Sequence, residues 1–105
     1  MKIHFYSIQD GESIDFISDA SFFNNTYIFQ DKTADNITAK CKLCSDNKIE
    51  FVREGFVSTF IVFELGKRTK AKYKDEMGLA FDFMVYTKRL EITEKKISIE
   101  YDYYI

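Results

Sequence analysis

The segment Lys48–Leu65 reads KIEFVREGFVSTFIVFEL and is rich in residue types that favour β-strands. It predicts two strands hinged at Gly55, the second of them apolar on both faces from Phe56 to Phe63. A strand that is apolar on both faces must be covered on both, or must carry an interface. We therefore expect the remaining segments to form strands that close a barrel beside it.

The composition predicts one globular domain that spans residues 1–105. Hydrophobic residues make up 46% of the chain and charged residues 30%, which is typical of a folded protein and not of a disordered one. A chain of 105 residues can bury one core but is too short for two. The formal net charge of −2 gives no overall drive toward nucleic acid or an anionic membrane, so we expect neither partner.

The ends and the cysteines of the chain favour a cytoplasmic protein without a metal. Met1–Phe5 shows no signal peptide, and no window approaches the roughly 20 apolar residues of a membrane span. Cys41 and Cys44 should then be reduced, and as strand residues three apart they would point to opposite faces. The single histidine, His4, lies far away in the sequence, on the predicted surface phase. We expect no metal and no other cofactor.

The dipeptide Asp10-Gly11 predicts a tight hairpin near the start of the chain. A two-residue turn of type I′ needs positive φ at both central residues, which Asp-Gly accommodates. Such a turn places Phe5 opposite Phe16 and Ser7 opposite Ile14, so that the apolar faces of the two strands agree.

A second hairpin places a charged residue on an inward phase. Ser45-Asp46-Asn47 is interpreted as a three-residue turn, with Asn47 a candidate for the left-handed region. The turn predicts three opposed pairs, which are Leu43 with Ile49, Cys41 with Phe51, and Ala39 with Arg53. Arg53 is therefore expected to face the barrel interior.

The turn at Gly66-Lys67 decides which face of the strand before it is inside. A two-residue turn would pair Val62 with Ala71 and Phe60 with Tyr73. Ile61 and Phe63 would then face outward, opposite Lys72 and Lys70. The alternative is a three-residue turn, which inverts the strand and places Ile61 and Phe63 in the core.

The whole pattern predicts an all-β protein, an antiparallel meander or barrel of roughly ten short strands. No segment keeps a helical period for three turns, and nothing suggests parallel strands joined by helices. Asp19–Asn25 is interpreted as a bend or broken strand, and the facing of residues 19–36 stays open. Leu90-x-Ile92 and Ile97–Tyr103 are expected to close the chain as separate strands.

Three motifs between residues 40 and 103, Arg53-Glu54-Gly55, Tyr73–Gly78 and Ile97–Tyr103, together resemble the YwiB-like family of uncharacterised calycin-type β-barrels. Arg53-Glu54-Gly55 is similar to an Arg-x-Gly that follows a strand in that family, and Ile97–Tyr103 to its terminal tyrosine-bearing strand. Tyr73–Gly78 is similar to its Tyr-x-Thr-Pro-x-Gly turn, although Asp75-Glu76 replaces Thr-Pro. The resemblance implies a closed, lipocalin-like barrel of about eight to ten strands. It implies no activity.

Two charged features admit a structural and a functional interpretation. An inward Arg53 must be paired or hydrogen-bonded, either to carbonyls or on an aromatic ring such as Tyr101, or else it anchors a ligand carboxylate or phosphate. Arg68, Lys70, Lys72 and Lys74 share one strand face. We interpret them as a solvated face whose alkyl stems cover Ile61 and Phe63, rather than as a nucleic-acid strip.

The sequence therefore favours non-catalytic binding of a small, partly apolar or anionic molecule inside the barrel. No arrangement of nucleophile and base supports an enzyme. The candidate lining residues are Arg53, Thr69, Tyr73, Thr87 and Tyr101. The alternative is a filled structural barrel that forms a homodimer through Val57, Ile61 and Phe63.

Overall fold

The computed structural model describes residues 1–104, which form nine β-strands and no helix. The predicted all-β fold class is confirmed, and nine strands fall within the expected range of about eight to ten. The strands are β1 (Lys2–Gln9), β2 (Glu12–Phe23), β3 (Thr26–Gln30), β4 (Thr38–Ser45), β5 (Lys48–Glu54), β6 (Val57–Glu64), β7 (Arg68–Asp75), β8 (Ala80–Ile92) and β9 (Lys96–Tyr104).

The strands follow one another around a closed barrel in chain order. Every consecutive pair is antiparallel, but β1 and β9 close the barrel in parallel, with His4 beside Lys96 and Gln9 beside Tyr101. The predicted antiparallel meander is confirmed, and only the pair that closes it among the described residues is parallel. The reason is parity: in an up-and-down meander of nine strands the first and the last run in the same direction.

The first hairpin is confirmed residue by residue. Phe5 lies opposite Phe16 and Ser7 opposite Ile14. Asp10 and Gly11 both have positive φ, at 49° and 84°, as a type I′ turn requires.

Two strands are longer than the sequence suggested. β2 runs unbroken through residues 19–23, so the expected bend there was wrong, although Asn24 and Asn25 do adopt the left-handed region at φ 51° and 58°. β8 includes Leu90 and Ile92, which were expected to form a separate strand. A bulge between Thr87 and Arg89 reverses which alternate residues of β8 face inward. Because the alternation is interrupted there, the sequence pattern predicted two strands instead of one.

The second hairpin has the predicted register but a different turn. Leu43, Cys41 and Ala39 lie opposite their expected partners on β5. Asn47 is not among the residues with positive φ, and a register shift between Leu43 and Ser45 supplies the extra residue instead.

The turn between β6 and β7 takes the three-residue form. Leu65–Lys67 connects the strands, Gly66 has φ 75°, and Lys67 N donates to Glu64 O at 3.0 Å. Ile61 consequently pairs with Ala71. The two-residue turn and the outward facing of Ile61 and Phe63 were therefore wrong. Both phases of this strand are apolar, so the hydrophobic pattern could not choose between them.

Gly55 lies where the chain passes from β5 to β6, as the hinge was predicted. A Cβ at this position would stand 2.7 Å from the carbonyl oxygen of Asn36 and 3.0 Å from the side chain of Ile37. The absence of a side chain thus lets the β5–β6 connection pack against the loop between β3 and β4.

Candidate functional site

One end of the barrel is hollow. A cavity of about 390 Å³ lies within it, at the lower end of the range typical of small-molecule pockets. Its wall is largely aromatic. The apolar and aromatic lining residues are Phe5, Ile14, Phe16, Phe51, Ile61, Phe63, Tyr73, Phe81, Phe83, Ile99, Tyr101 and Tyr103.

The other end of the barrel is filled with side chains. Ile3, Ile49, Val85 and Ile97 are completely buried there and do not line the cavity. Near them Tyr27 donates its hydroxyl to the carbonyl of Thr93 at 3.5 Å. The barrel is thus packed solid over part of its length and open over the rest.

Arg53 enters the cavity and is paired with a carboxylate. Its Nε donates to Asp31 Oδ2 at 2.7 Å, and the two side chains are 29% and 7% exposed. The pair crosses β4, where the fully buried Ala39 pairs with Arg53, and the single methyl of Ala39 leaves room for the crossing. The expectation that Arg53 faces inward and is bonded is confirmed, but its partner is the Asp31 carboxylate and not a carbonyl or the ring of Tyr101.

Asp31 is held as a carboxylate by several groups at once. Its Oδ1 accepts hydrogen bonds from the Thr33 backbone N–H at 2.9 Å and from the Thr33 hydroxyl at 2.5 Å. Burial acts to raise the pKa of Asp31, but the two bonds from Thr33 and the charge of Arg53 outweigh it and leave the pKa below its ordinary value. Asp31 is therefore ionised at neutral pH.

The guanidinium of Arg53 keeps donors for a ligand. An arginine presents five N–H donors, and Asp31 engages only Nε. Among residues 1–104, no side chain or carbonyl accepts a hydrogen bond from the two Nη groups. The two Nη groups of Arg53 therefore remain available to a ligand in the cavity that this residue lines.

Two tyrosines predicted as lining residues stand in the same cavity. Tyr101 packs on Phe63, with ring centroids 4.7 Å apart, and burial raises the pKa of its hydroxyl. Tyr73 stacks on Phe81 at 4.9 Å and donates its hydroxyl to Asp75 Oδ2 at 3.4 Å. Both phenols are consequently neutral at physiological pH.

The two predicted threonines do not belong to the cavity. Thr69 donates its hydroxyl to the carbonyl of Val62, across the β6–β7 pair. Thr87 is completely buried beside the β8 bulge, and its hydroxyl has no hydrogen-bond partner among the described residues. Thr87 keeps the inward phase of Phe81 and Phe83, which line the cavity, but it lies farther along β8, in the filled part of the barrel.

The surface proposed for a dimer does not exist in the predicted form. Ile61 and Phe63 are 5% and 1% exposed and line the cavity, while Val57 is half-buried next to Asp75. The homodimer prediction therefore loses the patch on which it rested, and the barrel is not filled throughout as that alternative required.

The remaining candidates for chemistry lie apart from the cavity. His4 Nε2 lies 3.1 Å from Asp15 Oδ2 on the outer surface. Cys41 is buried and Cys44 exposed, and burial raises the pKa of the Cys41 thiol to about 12. Within residues 1–104 no three His, Cys, Asp or Glu side chains are grouped so that they could hold a metal ion.

The sequence analysis did not predict the polar residues that line the cavity together with Arg53. Ser7, Gln9, Asp31, Thr33 and Thr59 all line the cavity. A signal for Asp31 was present, because it continues the odd-numbered inward phase of Tyr27 and Phe29 on β3. Thr59 was missed because its strand was inverted.

The chain matches one family model from residue 2 to residue 105. The description of that family is Domain of unknown function, DUF1934. The chain belongs to this family. No curated protein and no solved structure matches it. The description of the family assigns no activity to the cavity.

No helix in the described part of the chain is long and apolar enough to cross a membrane.

Proposed function

We propose that this barrel binds one small, largely apolar molecule with a carboxylate group, and that it does so without catalysing a reaction. The observation that supports the proposal best is the free Nη fork of Arg53 in a cavity whose wall is largely aromatic. A guanidinium fork matches a carboxylate with two parallel hydrogen bonds. The aromatic wall would take the apolar body of the ligand.

Hydrogen bonds rather than net charge would hold the acidic group. Asp31 already compensates the charge of Arg53, so a ligand carboxylate would be a second anion near one cation. The aromatic wall keeps most water away and makes charge-assisted hydrogen bonds stronger than they are in bulk water. Tyr101, whose hydroxyl is neutral and which lines the same cavity as Arg53, is a further donor for the same group.

The absence of an activated nucleophile near the cavity supports binding over catalysis. Asp31 is occupied by Thr33 and Arg53, so it is a poor general base. Ser7 accepts a hydrogen bond from Gln9 Nε2 at 3.5 Å, and His4 lies on the outer surface.

We also propose that the protein is cytoplasmic and that its barrel is of the calycin type, similar to the YwiB-like family.

Calorimetric titration with a matched pair of compounds tests the proposal. Phenylbutanoate and phenylbutanol share an aromatic body and differ in the acidic group. We expect the acid to bind about tenfold more tightly or better, the range for hydrogen bonds to a charged group. The double variant Arg53→Met with Asp31→Asn removes the fork without leaving a bare carboxylate, and it should bind both compounds equally.

Lys72→Met provides the control, because it removes a cation from the outer surface and leaves the cavity intact. It should keep the preference for the acid. Equal binding of acid and alcohol by the unaltered protein, or no saturable binding of either, would contradict the proposal.

A further inference from the structure

The outer face of β7 carries four cations in single file. Arg68, Lys70, Lys72 and Lys74 occupy alternate positions of the strand, and all four are exposed. Successive members are about 6.6 Å apart, because a strand rises about 3.3 Å per residue, so the file is about 20 Å long. Within residues 1–104 none of the four forms an ion pair. We call this set the cationic file.

Aromatic side chains stand beside the cationic file. Phe60 on β6 is directly opposite Lys72 and is 40% exposed. Tyr86 on β8 is opposite Arg68, whose guanidinium carbon lies 5.5 Å from the centroid of the Tyr104 ring. The sequence predicted that the alkyl stems of these cations would cover Ile61 and Phe63 on the outer surface. Those two side chains are buried, and Phe60 stands outward beside Lys72 instead.

The charge on this face contrasts with that of the rest of the molecule. Asp82, opposite Lys72, is the only acidic residue directly paired in register with the file. Together the four cations and Asp82 carry a formal charge of +3. Because the formal net charge of the whole chain is −2, all other residues together carry −5. The cationic file is thus a strip of net positive charge, although Glu54 lines the same groove as Lys72 and Lys74.

We propose that the cationic file and its aromatic neighbours bind single-stranded nucleic acid without base specificity. Phosphates of an extended strand would follow the line of cations, and bases would stack on Phe60 and Tyr104. An anionic membrane fits less well. A lipid surface extends past the cationic file on all sides, so it would also repel the other residues of the protein, which together carry −5. A single strand of nucleic acid would contact the cationic file alone. An acidic peptide would leave the exposed aromatic rings unused.

Fluorescence anisotropy with a labelled oligothymidylate of about 12 nucleotides tests the proposal at low salt. The logarithm of the binding constant should fall with the logarithm of salt concentration with a slope near −3, since four single-strand phosphate contacts contribute about 0.7 each. Lys70→Glu with Lys72→Glu should weaken binding at least tenfold. Phe60→Ala should weaken it about fivefold or more, through the lost stacking.

The matched control reverses two exposed lysines elsewhere, Lys42→Glu with Lys95→Glu, and changes the net charge by the same amount. It should bind within about twofold of the unaltered protein once long-range attraction is screened by moderate salt. Circular dichroism establishes that both double variants are folded.

Three results would overturn the proposal. The first is no saturable binding at low salt. The second is an equal loss in the two double variants, which would show that only net charge matters. The third is equal or tighter binding of polyglutamate or phosphatidylserine vesicles through the same lysines, which would assign the face to an acidic peptide or a membrane.

Discussion

Arg53 Nε lies 2.7 Å from Asp31 Oδ2, so that a cation on β5 and an anion just beyond β3 meet across β4. The pair sits at the open end of the barrel, where the interior is not filled by side chains. It engages Nε and leaves the two Nη groups without an acceptor among residues 1–104. The stability and the binding properties of the barrel should therefore both depend on this contact.

Removal of Arg53 should destabilise the fold more than removal of an exposed cation. Arg53→Met leaves the 7%-exposed Asp31 carboxylate without its counter-charge, which we expect to cost on the order of 2 kcal/mol. Lys72→Met, on the outer surface, should cost less than about 0.5 kcal/mol. Urea unfolding of the two variants measures the difference. Equal small effects would show that the ion pair does not stabilise the fold.

The stabilisation from Asp31 should disappear in acid. Its pKa in the folded protein is lowered from the ordinary value of 3.8, so its contribution is complete above that pH and is lost as the pH falls through the lower folded value. Asp31→Asn lacks this titration. The stability advantage of the unaltered protein over Asp31→Asn should therefore be largest near neutral pH and shrink below about pH 4. Melting temperatures across this range check the sign, and a constant difference would contradict it.

Substitutions on β6 should distinguish its two faces. Phe63 is 1% exposed and lies in the core, so Phe63→Ala should cost about 3–5 kcal/mol. Phe60 is 40% exposed, and Phe60→Ala should cost less than about 1 kcal/mol. The double change Ile61→Lys with Phe63→Glu should unfold the protein, as circular dichroism would show. A folded double variant would mean that Ile61 and Phe63 face outward, which contradicts the structure.

The first turn should require glycine for backbone reasons alone. Gly11 has φ 84°, and no atom lies within 4 Å of where its Cβ would stand. Gly11→Val should therefore lower the free energy of unfolding by about 1–3 kcal/mol through strain, whereas Gly11→Asn should cost less because asparagine tolerates the left-handed region. Thermal melts of both variants test this prediction. A melting temperature of Gly11→Val equal to that of Gly11→Asn would argue against strain at this position.

The two thiols should differ sharply in reactivity. Cys41 is completely buried with a pKa raised to about 12, whereas Cys44 is exposed at the end of β4. A thiol-specific reagent should label one cysteine per folded chain at mildly alkaline pH, and Cys44→Ser should abolish this labelling. Rapid labelling of Cys41 in the folded protein would indicate that the filled end opens readily.

Local patterns predicted well wherever one face of a strand was distinctly apolar. The Asp10-Gly11 turn follows from short-range preferences. The register of β4 with β5, which placed Arg53, was also correct, although a bulge supplies the residue that the predicted turn had counted. β6 was inverted because both of its phases are apolar, so only the length of the Gly66 turn could decide, and that length depends on contacts with β8. Gly66 N donates to Thr87 O at 2.8 Å, a contact that no local pattern reveals.

The site was predicted only in part, because a cavity is a product of packing in three dimensions. Arg53, Tyr73 and Tyr101 were identified by their phase along single strands. Asp31 pairs with a residue 22 positions later, across an intervening strand, and nothing in the spacing of the two predicts that contact. The hollow itself arises because the side chains that meet at one end do not fill it.

The side-chain NMR signals of the arginines test the central claim most directly. The chain has three arginines, Arg53, Arg68 and Arg89, so the two outside the cavity act as internal controls. Titration with phenylbutanoate should shift and slow the exchange of the Arg53 Nη protons and leave those of Arg68 and Arg89 unchanged. Saturable binding that leaves Arg53 unaffected, or that shifts Arg68 instead, would contradict the assignment of Arg53 as the anchor of a ligand in the barrel.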